Sequence, residues 1–276
     1  MPKESKQLAE EIWYWYLVGD EGIPNKIKWM MTVEQAMYSL LPGDPRCLQC
    51  NTPLGGVGTL ITRPLGIRPS MFTPHLCNGC EQSILKVEGG AEVELSLLFA
   101  DIRGSTSKAQ GTSPTEYTQF IQRFYKSTSQ VLINRNALVN RLVGDQVIGL
   151  FVPRFAGLDH ANVAIDAAMD ILKATGHEDS DGPWAPVGVG VHTDVAYVGA
   201  VGSKDGVNEI AVLGNAANMT ARLSSKAAQG EVLISEGAAN AAKLADELLE
   251  KRSLELKGIN EPVHVRVLRA GPRVNE

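Results

Sequence analysis

The chain has 276 residues and a formal net charge of −5, with 44% hydrophobic and 21% charged residues. This composition is typical of a globular protein with one large domain or two smaller ones, and it excludes the fibrous and disordered classes. The longest apolar runs, within residues 12–18 and 95–100, are too short to cross a bilayer, so we expect no membrane span. The first six residues mix acidic and basic side chains, unlike a signal peptide, which favours a cytoplasmic protein.

Basic residues are not in excess in either part of the chain. Residues 1–90 hold 8 basic and 9 acidic side chains, and residues 91–276 hold 18 and 22. Domains that bind nucleic acid usually present a basic surface. We therefore expect no nucleic-acid partner.

Residues 1–41 have apolar positions at helical spacing, with a break over residues 19–24. The first of the two predicted helices carries four consecutive aromatic residues, Trp13, Tyr14, Trp15 and Tyr16. One buried helix face cannot take up all four. The segment is therefore either a helix held between two domains or an aromatic patch at a dimer or partner interface.

Residues 42–90 are rich in Gly and Pro and lose helical periodicity, so another constraint must hold this segment together. All four cysteines of the chain lie here, in two Cys-x-x-Cys pairs separated by 26 residues: Cys47, Cys50, Cys77 and Cys80. The pairs resemble a zinc ribbon or a rubredoxin-like pair of knuckles, in which four thiolates complete a tetrahedron. We expect a structural Zn²⁺ site, with His75 at the surface rather than among the ligands.

Iron or an iron–sulfur cluster is the alternative occupant of this cysteine site, because the spacing between the pairs slightly exceeds that of compact zinc modules. A redox-labile cluster would make the module a sensor. A zinc site would instead fix the N-terminal helices for dimerisation or for passing on a signal.

From residue 93 onward, short apolar strands alternate with helices. Strands are predicted at 93–100, 138–143, 146–152, 187–192, 196–201, 232–235, 254–256 and 263–268, with one more ending at residue 213. One helix begins at the capping box formed by Ser113 and Glu116, and two more span about 159–175 and 215–228. The order is that of an α+β, ferredoxin-like βαββαβ domain extended at its C-terminus. The predicted domains are 1–41 (N-terminal helices), 42–90 (metal module) and 91–276.

Two carboxylates follow strands of this domain. Asp101 comes directly after the first strand, and Asp145 lies in the tip of the predicted hairpin. Asp101 is followed by a short Gly-containing turn whose backbone N–H groups could hold phosphate oxygens near a helix start. A carboxylate beside such a turn favours a site for a metal and a nucleotide.

Four motifs together resemble the class III adenylate/guanylate cyclase catalytic domain, over about residues 93–268. They are residues 98–106 (LFADIRGST), 141–145 (RLVGD), 214–222 (GNAANMTAR) and 256–258 (LKG), in the family's order and spacing. The resemblance implies a nucleotidyl cyclase that converts a nucleoside triphosphate to a 3′,5′-cyclic nucleotide and pyrophosphate. It also implies two Mg²⁺ or Mn²⁺ ions, which suit in-line displacement at phosphorus.

The resemblance assigns a role to each matching residue. Asp101 and Asp145 would bind the two metal ions, with the Ile102 carbonyl as a further ligand. The substrate phosphates would lie on the turn formed by Ile102, Arg103, Gly104, Ser105 and Thr106. Asn218 would orient the ribose, Arg222 would stabilise charge on the α-phosphate, and Lys257 would bind phosphate. In this family the aspartates come from one subunit and the other three residues from its partner, so we expect a homodimer with two equivalent sites.

Two positions govern base selection in the family, and here they hold Arg141 and Ala211. Arginine donates hydrogen bonds but cannot accept them, so Arg141 does not fit the role of the glutamate that reads guanine. ATP is the expected substrate because Arg141 keeps the positive donor of the adenine-reading pair. Ala211 offers no acceptor, so a pyrimidine triphosphate, UTP or CTP, remains an alternative. A catalytically inactive nucleotide-binding regulatory module is a further alternative.

Overall fold

The computed structural model describes residues 3–19, 25–70, 73–202, 209–245, 249–259 and 261–271, and within these it leaves out the side chains of residues 3, 4, 25–27 and 140–143. The chain divides into two compact units: Met1–Val93 with Tyr197–Val212, and Glu94–Ala196 with Leu213–Glu276. The predicted boundaries at residues 41 and 90 stay predictions. Among the described residues, no helix combines the length and the apolar character needed to cross a lipid bilayer.

Among its described residues, the first unit contains the helices α1 (Lys3–Val18), α2 (Asn25–Ser39), α3 (Thr59–Thr62) and α4 (Asn78–Leu85). Trp13, Trp15 and Tyr16 are buried, whereas Tyr14 is 37% exposed. The Trp13 indole donates a hydrogen bond to the Val87 carbonyl at 3.0 Å. Three of the four consecutive aromatics therefore belong to the core of this unit.

Two short helices, α3 and α4, lie within residues 42–90, where the sequence shows no helical periodicity. Both helices are too short to produce a periodic apolar pattern in a window of 11 or more residues. Cys77 is the N-cap of α4, and its sulfur accepts a hydrogen bond from the Cys80 amide at 3.3 Å. The second cysteine pair is thus built on a helix start.

The strands are β1 (Gly89–Ile102), β2 (Leu138–Val143), β3 (Gln146–Phe151), β4 (Val187–Val201), β5 (Glu209–Leu213), β6 (Glu231–Ser235), β7 (Glu250–Leu254) and β8 (Val263–Arg269). They form one sheet in the order β2-β3-β1-β4-β6-β8-β7, with β5 paired to β4. The β2-β3-β1-β4 part has the ferredoxin-like strand order, and β6, β8 and β7 extend it. The predicted α+β fold is therefore confirmed.

The remaining helices are α5 (Ser105–Gly111), α6 (Pro114–Asn134), α7 (Pro153–Ala156), α8 (His160–Ala174), α9 (Asn215–Lys226) and α10 (Glu236–Ala241). The predicted capping box at the start of α6 is confirmed, with the Ser113 side chain accepting from the Glu116 amide. The apolar faces of α6 and α8 pack against the sheet through fully buried residues such as Phe124, Ile171 and Val189. This packing fixes the strands whose ends carry the candidate site.

Two strand predictions needed correction. The predicted pair 187–192 and 196–201 is one continuous strand, β4, because no Gly or Pro interrupts residues 191–198. Its first half pairs in parallel with β6, and the strand also carries β5. The strand predicted at 254–256 is β7, which ends at Leu254, and Leu256 instead joins a small core cluster with Leu223 and Val265.

Candidate functional site

The structure brings Asp101 and Asp145 together. Asp101 lies near the end of β1, opposite Gln146 in the β1–β3 ladder. The Ile102 amide donates to the Asp145 carbonyl at 3.1 Å, which holds the hairpin tip against the strand end. The Tyr125 hydroxyl of α6 donates to the Gly144 carbonyl at 2.6 Å and braces the same turn. Sequence analysis did not identify Tyr125, since only its helical spacing was visible.

The electrostatics around these two carboxylates are those of a site suited to a divalent cation. Burial raises the pKa of Asp101 to about 6, the neighbouring Asp145 carboxylate adds to the rise, and the Arg103 guanidinium opposes it. Arg103 forms an ion pair with Asp101, and the Ser105 hydroxyl donates to Asp145. Hard carboxylate oxygens of like charge, held side by side and partly out of water, fit Mg²⁺ or Mn²⁺.

The turn after Asp101 leads into α5. Gly104 has φ +69° and is the N-cap of this helix, so only a residue without a Cβ adopts its conformation freely. The amides of Ser105 and Thr106 open the helix and have no intrahelical acceptor. The Arg103 amide instead donates to the Pro186 carbonyl at 2.7 Å. The Arg103 amide is therefore already paired. Among the residues predicted to hold phosphate, Ser105 and Thr106 have backbone amides that could donate to a phosphate oxygen.

Arg103 also reaches α9, a contact that sequence analysis did not predict. Its guanidinium donates to the Ser225 carbonyl at 2.9 Å while it pairs with Asp101. Arg103 thus connects the carboxylate pair to the C-terminal end of the helix that carries the predicted Asn218 and Arg222.

Asn218 and Arg222 lie one turn apart on α9, with Asn218 exposed and Arg222 half-buried. A Cβ at Gly258 would lie 3.4 Å from Arg222 Nη2, so the Arg222 guanidinium lies beside the turn that carries the exposed Lys257. Arg222 and the Lys257–Gly258 turn are therefore neighbours. Within the described part of the chain, no hydrogen bond or ion pair links these side chains to Asp101 or Asp145.

Two glycines of β4 position α9. A Cβ at Gly190 would lie 2.5 Å from the Ser224 nitrogen and 2.8 Å from the Thr220 oxygen, and one at Gly188 would lie 2.7 Å from the Ala227 oxygen. The helix backbone therefore packs directly on the strand. The Gly-x-Gly spacing within an apolar strand was the available sequence signal for this close approach.

Of the two positions predicted to select the base, the structure describes the side chain of Ala211 but not that of Arg141. Arg141 belongs to β2, but its side chain is outside the described residues. Ala211 is buried in β5, with an exposed fraction of 7%. The proposed selection of the base therefore stays a prediction.

The four cysteines converge in the first unit. Their sulfur atoms all lie within 4.8 Å of one another, and Cys50 Sγ is 3.7 Å from Cys77 Sγ. A tetrahedral site with Zn–S bonds of about 2.3 Å has S···S edges of about 3.8 Å, so this separation fits. His75 is half-buried and not part of the cluster.

Comparison with known proteins agrees with this geometry. Residues 88–268 match the family described as the adenylate and guanylate cyclase catalytic domain. An adenylate cyclase of Mycobacterium tuberculosis is 28% identical over 169 residues, which cover 60% of this chain and 37% of that protein. This chain therefore matches well under half the length of that relative.

Solved structures show the same fold. The crystal structure of the guanylyl cyclase Cya2 matches with a TM-score of 0.59 at 24% identity, covering 68% of this chain and 98% of that one. That of the adenylyl cyclase CyaB from P. aeruginosa matches with a TM-score of 0.57 at 22% identity, covering 66% and 97%. From the match over residues 88–268, the chain belongs to the adenylate and guanylate cyclase catalytic domain family.

Proposed function

We propose that the chain is a nucleotidyl cyclase that converts a nucleoside triphosphate, ATP by preference, to a 3′,5′-cyclic nucleotide and pyrophosphate. The observation that carries this proposal is the pair of adjacent, partly buried carboxylates of Asp101 and Asp145. They lie at a strand end and a hairpin tip within the segment that matches the cyclase family. The catalytic domain would correspond to residues 91–276.

Asp101 and Asp145, with the Ile102 carbonyl, would hold two Mg²⁺ or Mn²⁺ ions. When bound, these ions would make the ribose 3′-hydroxyl more acidic and neutralise charge on the triphosphate. The amides of Ser105 and Thr106 would donate to phosphate oxygens at the start of α5. Ser105 would also keep Asp145 oriented through its hydroxyl.

In the proposed reaction, the 3′-oxygen forms a bond to the α-phosphorus, and the bond from that phosphorus to the bridging oxygen of the β-phosphate breaks. Pyrophosphate leaves with the bonding electrons, and the hydroxyl proton passes to solvent. Asn218 would fix the ribose so that the 3′-oxygen lies in line with the leaving group. Arg222 would stabilise the charge that grows on the α-phosphate, and Lys257 would bind the other phosphates.

The proposed active site is shared between two copies of the chain. The match to the adenylate and guanylate cyclase catalytic domain family supports a site completed by a partner. One copy would supply the aspartates and its partner the other three residues. A homodimer would then contain two equivalent sites.

Arg141 and Ala211 would select the base. Ala211 contributes no side-chain acceptor for the adenine amino group, so discrimination between bases would be weak at this position. Arg141 could donate equally to an adenine ring nitrogen or to a pyrimidine carbonyl. Cyclisation of UTP or CTP is therefore the second candidate activity.

The cysteine cluster would bind one Zn²⁺ in a structural role, within a module of residues 42–90. Four thiolates leave a zinc ion without an open coordination position, which suits a structural site rather than a catalytic one. Supporting this assignment, three of the four cysteines are buried in a segment rich in Gly and Pro.

The test of the proposed function is to incubate the purified chain with Mn²⁺ or Mg²⁺ and with ATP, GTP, CTP or UTP separately. Products would be identified by chromatography and mass. We expect cyclic AMP and pyrophosphate from ATP. Asp145→Asn should lower the rate by about 1,000-fold or more, because the ions would lose a ligand, whereas the exposed Asp181→Asn should not.

A cyclic pyrimidine nucleotide as the main product would replace ATP with the second candidate. Absence of any cyclic product, with correct folding shown by circular dichroism, would contradict cyclase activity and favour the nucleotide-binding regulatory module. Retained activity in Asp145→Asn would contradict the metal assignment.

A further inference from the structure

A cleft lies beside the cysteine cluster, within the unit formed by Met1–Val93 and Tyr197–Val212. Its volume is about 370 Å³, and small-molecule pockets occupy about 300 to 1,000 Å³. Its walls come from α1, α2, α4 and the segments that carry the cysteines. A metal ion held by thiolates at about 2.3 Å fills only a small part of such a space. The cleft therefore has room for an organic molecule next to the metal site.

The walls of the cleft are largely apolar and aromatic. They include Ile12, Trp15, Tyr16, Met31, Tyr38 and Ile84. Aromatic faces attract cationic groups, and methionine adapts its shape to an apolar body. These walls suit a ligand that combines an apolar part with a positive charge.

Gln49 supplies a buried hydrogen-bond acceptor at the cleft. The residue is 3% exposed, and among the described residues its side-chain Oε1 has no hydrogen-bond partner. Its backbone carbonyl accepts from the Gln35 side chain at 2.7 Å, which ties it to α2. A buried acceptor without a partner is destabilising. An N–H group of a bound ligand would remove this destabilisation.

The charges at the cleft are negative. Glu34 lines it with an exposed carboxylate, and the residues that the structure describes along its walls include no Lys, Arg or His. A positively charged group of a ligand would be attracted to the Glu34 carboxylate.

We infer that this cleft binds a small organic ammonium ion with an apolar or aromatic body. Its N–H groups would donate to Gln49 Oε1 and to the Glu34 carboxylate, and its body would pack against Trp15 and Tyr38. This inference does not depend on the catalytic proposal, because every residue that it uses lies in the first unit.

The first test uses the full chain, without substitutions, and three probes of similar shape. They are phenethylamine, the neutral phenethyl alcohol and the anionic 3-phenylpropionate. Isothermal titration calorimetry and the thermal midpoint would measure binding. We expect saturable binding of the amine, and at least about tenfold weaker binding of the other two, because hydrogen bonds that involve a charged group are stronger than those between neutral groups.

The second test uses matched variants. Gln49→Leu and Glu34→Gln should each weaken phenethylamine binding by about tenfold. Gln82→Leu, exposed on α4, and Asp44→Asn, whose side chain is 91% exposed, should leave binding unchanged. The inference is overturned if the unaltered chain does not bind the amine, if the alcohol binds as tightly as the amine, or if the control variants weaken binding as much as the cleft variants do.

Discussion

Glu231 is buried beneath two guanidinium groups. It accepts hydrogen bonds from Arg252 at 2.8 and 3.0 Å and from Arg269 at 3.0 and 3.1 Å, and from the Ala228 amide at 3.1 Å. The hydrogen bonds from Arg252 and Arg269 outweigh burial and lower the pKa of Glu231 from its ordinary 4.5 to about 2. This carboxylate joins the start of β6 to β7 and β8.

The lowered pKa of Glu231 predicts a pH-dependent contribution to stability. Because the pKa of Glu231 is lower in the folded protein than in the unfolded one, its charged carboxylate stabilises the fold above about pH 4.5. This stabilisation is lost as the pH falls towards 2. Glu231→Gln should therefore lower the free energy of unfolding by about 2 kcal/mol near neutral pH. The difference from the unaltered chain should shrink below pH 4.5.

Urea unfolding at several pH values would measure this difference. Glu250→Gln is the matched control, because Glu250 contacts the same two arginines at an exposed position and should have a much smaller effect. An equal loss in both variants, or a loss that does not depend on pH, would contradict this account of Glu231.

At the level of residues, part of the geometry of the candidate site could be predicted. Asp101 and Asp145 were both predicted at strand ends, from which they could converge, and the structure places them together, whereas their role in metal binding stays a prediction. Arg103, Tyr125 and Glu231 were missed as structural residues. Their partners are up to 124 positions away, and a single sequence carries no record of such pairs.

At the level of elements, the packing of α9 on β4 controls where Asn218 and Arg222 lie. Gly190→Ala would place a methyl group 2.5 Å from the Ser224 nitrogen, so the helix must move away from the strand. We expect a lower thermal midpoint together with a fall in cyclase activity of about tenfold or more, because small displacements of positioning groups are costly. Gly111→Ala is the control, since nothing lies within 4 Å of its added Cβ.

Thermal unfolding and initial rates, measured on the same preparations, would test this prediction. The metal affinity of the Asp101–Asp145 pair gives a further readout and should change less than activity. Normal activity and stability in Gly190→Ala would contradict the close packing of α9 on β4.

Long periodic elements and capped helices were predictable, whereas short ones were not. α6 and α8 were expected because their apolar periodicity extends over several turns, and α6 also has a capping box. α3 and α10 have four and six residues, too few for a periodic signal. β4 was divided in two because Thr193 and Asp194 interrupt its apolar pattern, yet the backbone remains extended.

At the level of the whole molecule, the cysteine module provides a test independent of catalysis. We expect about one Zn²⁺ per chain. Cys47→Ser should remove this ion and lower the thermal midpoint by about 10 °C. Asp145→Asn should keep this zinc, because that residue belongs to the other unit. Elemental analysis and thermal unfolding would measure both. Iron in the purified protein, or unchanged stability in Cys47→Ser, would contradict a structural zinc site.

We propose that each cyclase site is shared between two copies of the chain. Mixing two inactive variants tests this sharing most directly. Asp145→Asn and Arg222→Ala would each be inactive alone. A mixed dimer would hold one site with both defects and one intact site, so an equimolar mixture that exchanges subunits freely should recover about a quarter of the unaltered activity. Recovery to that level is the predicted result. No recovery, despite subunit exchange shown by mass spectrometry, would place all the catalytic residues of each site within one chain and contradict the account.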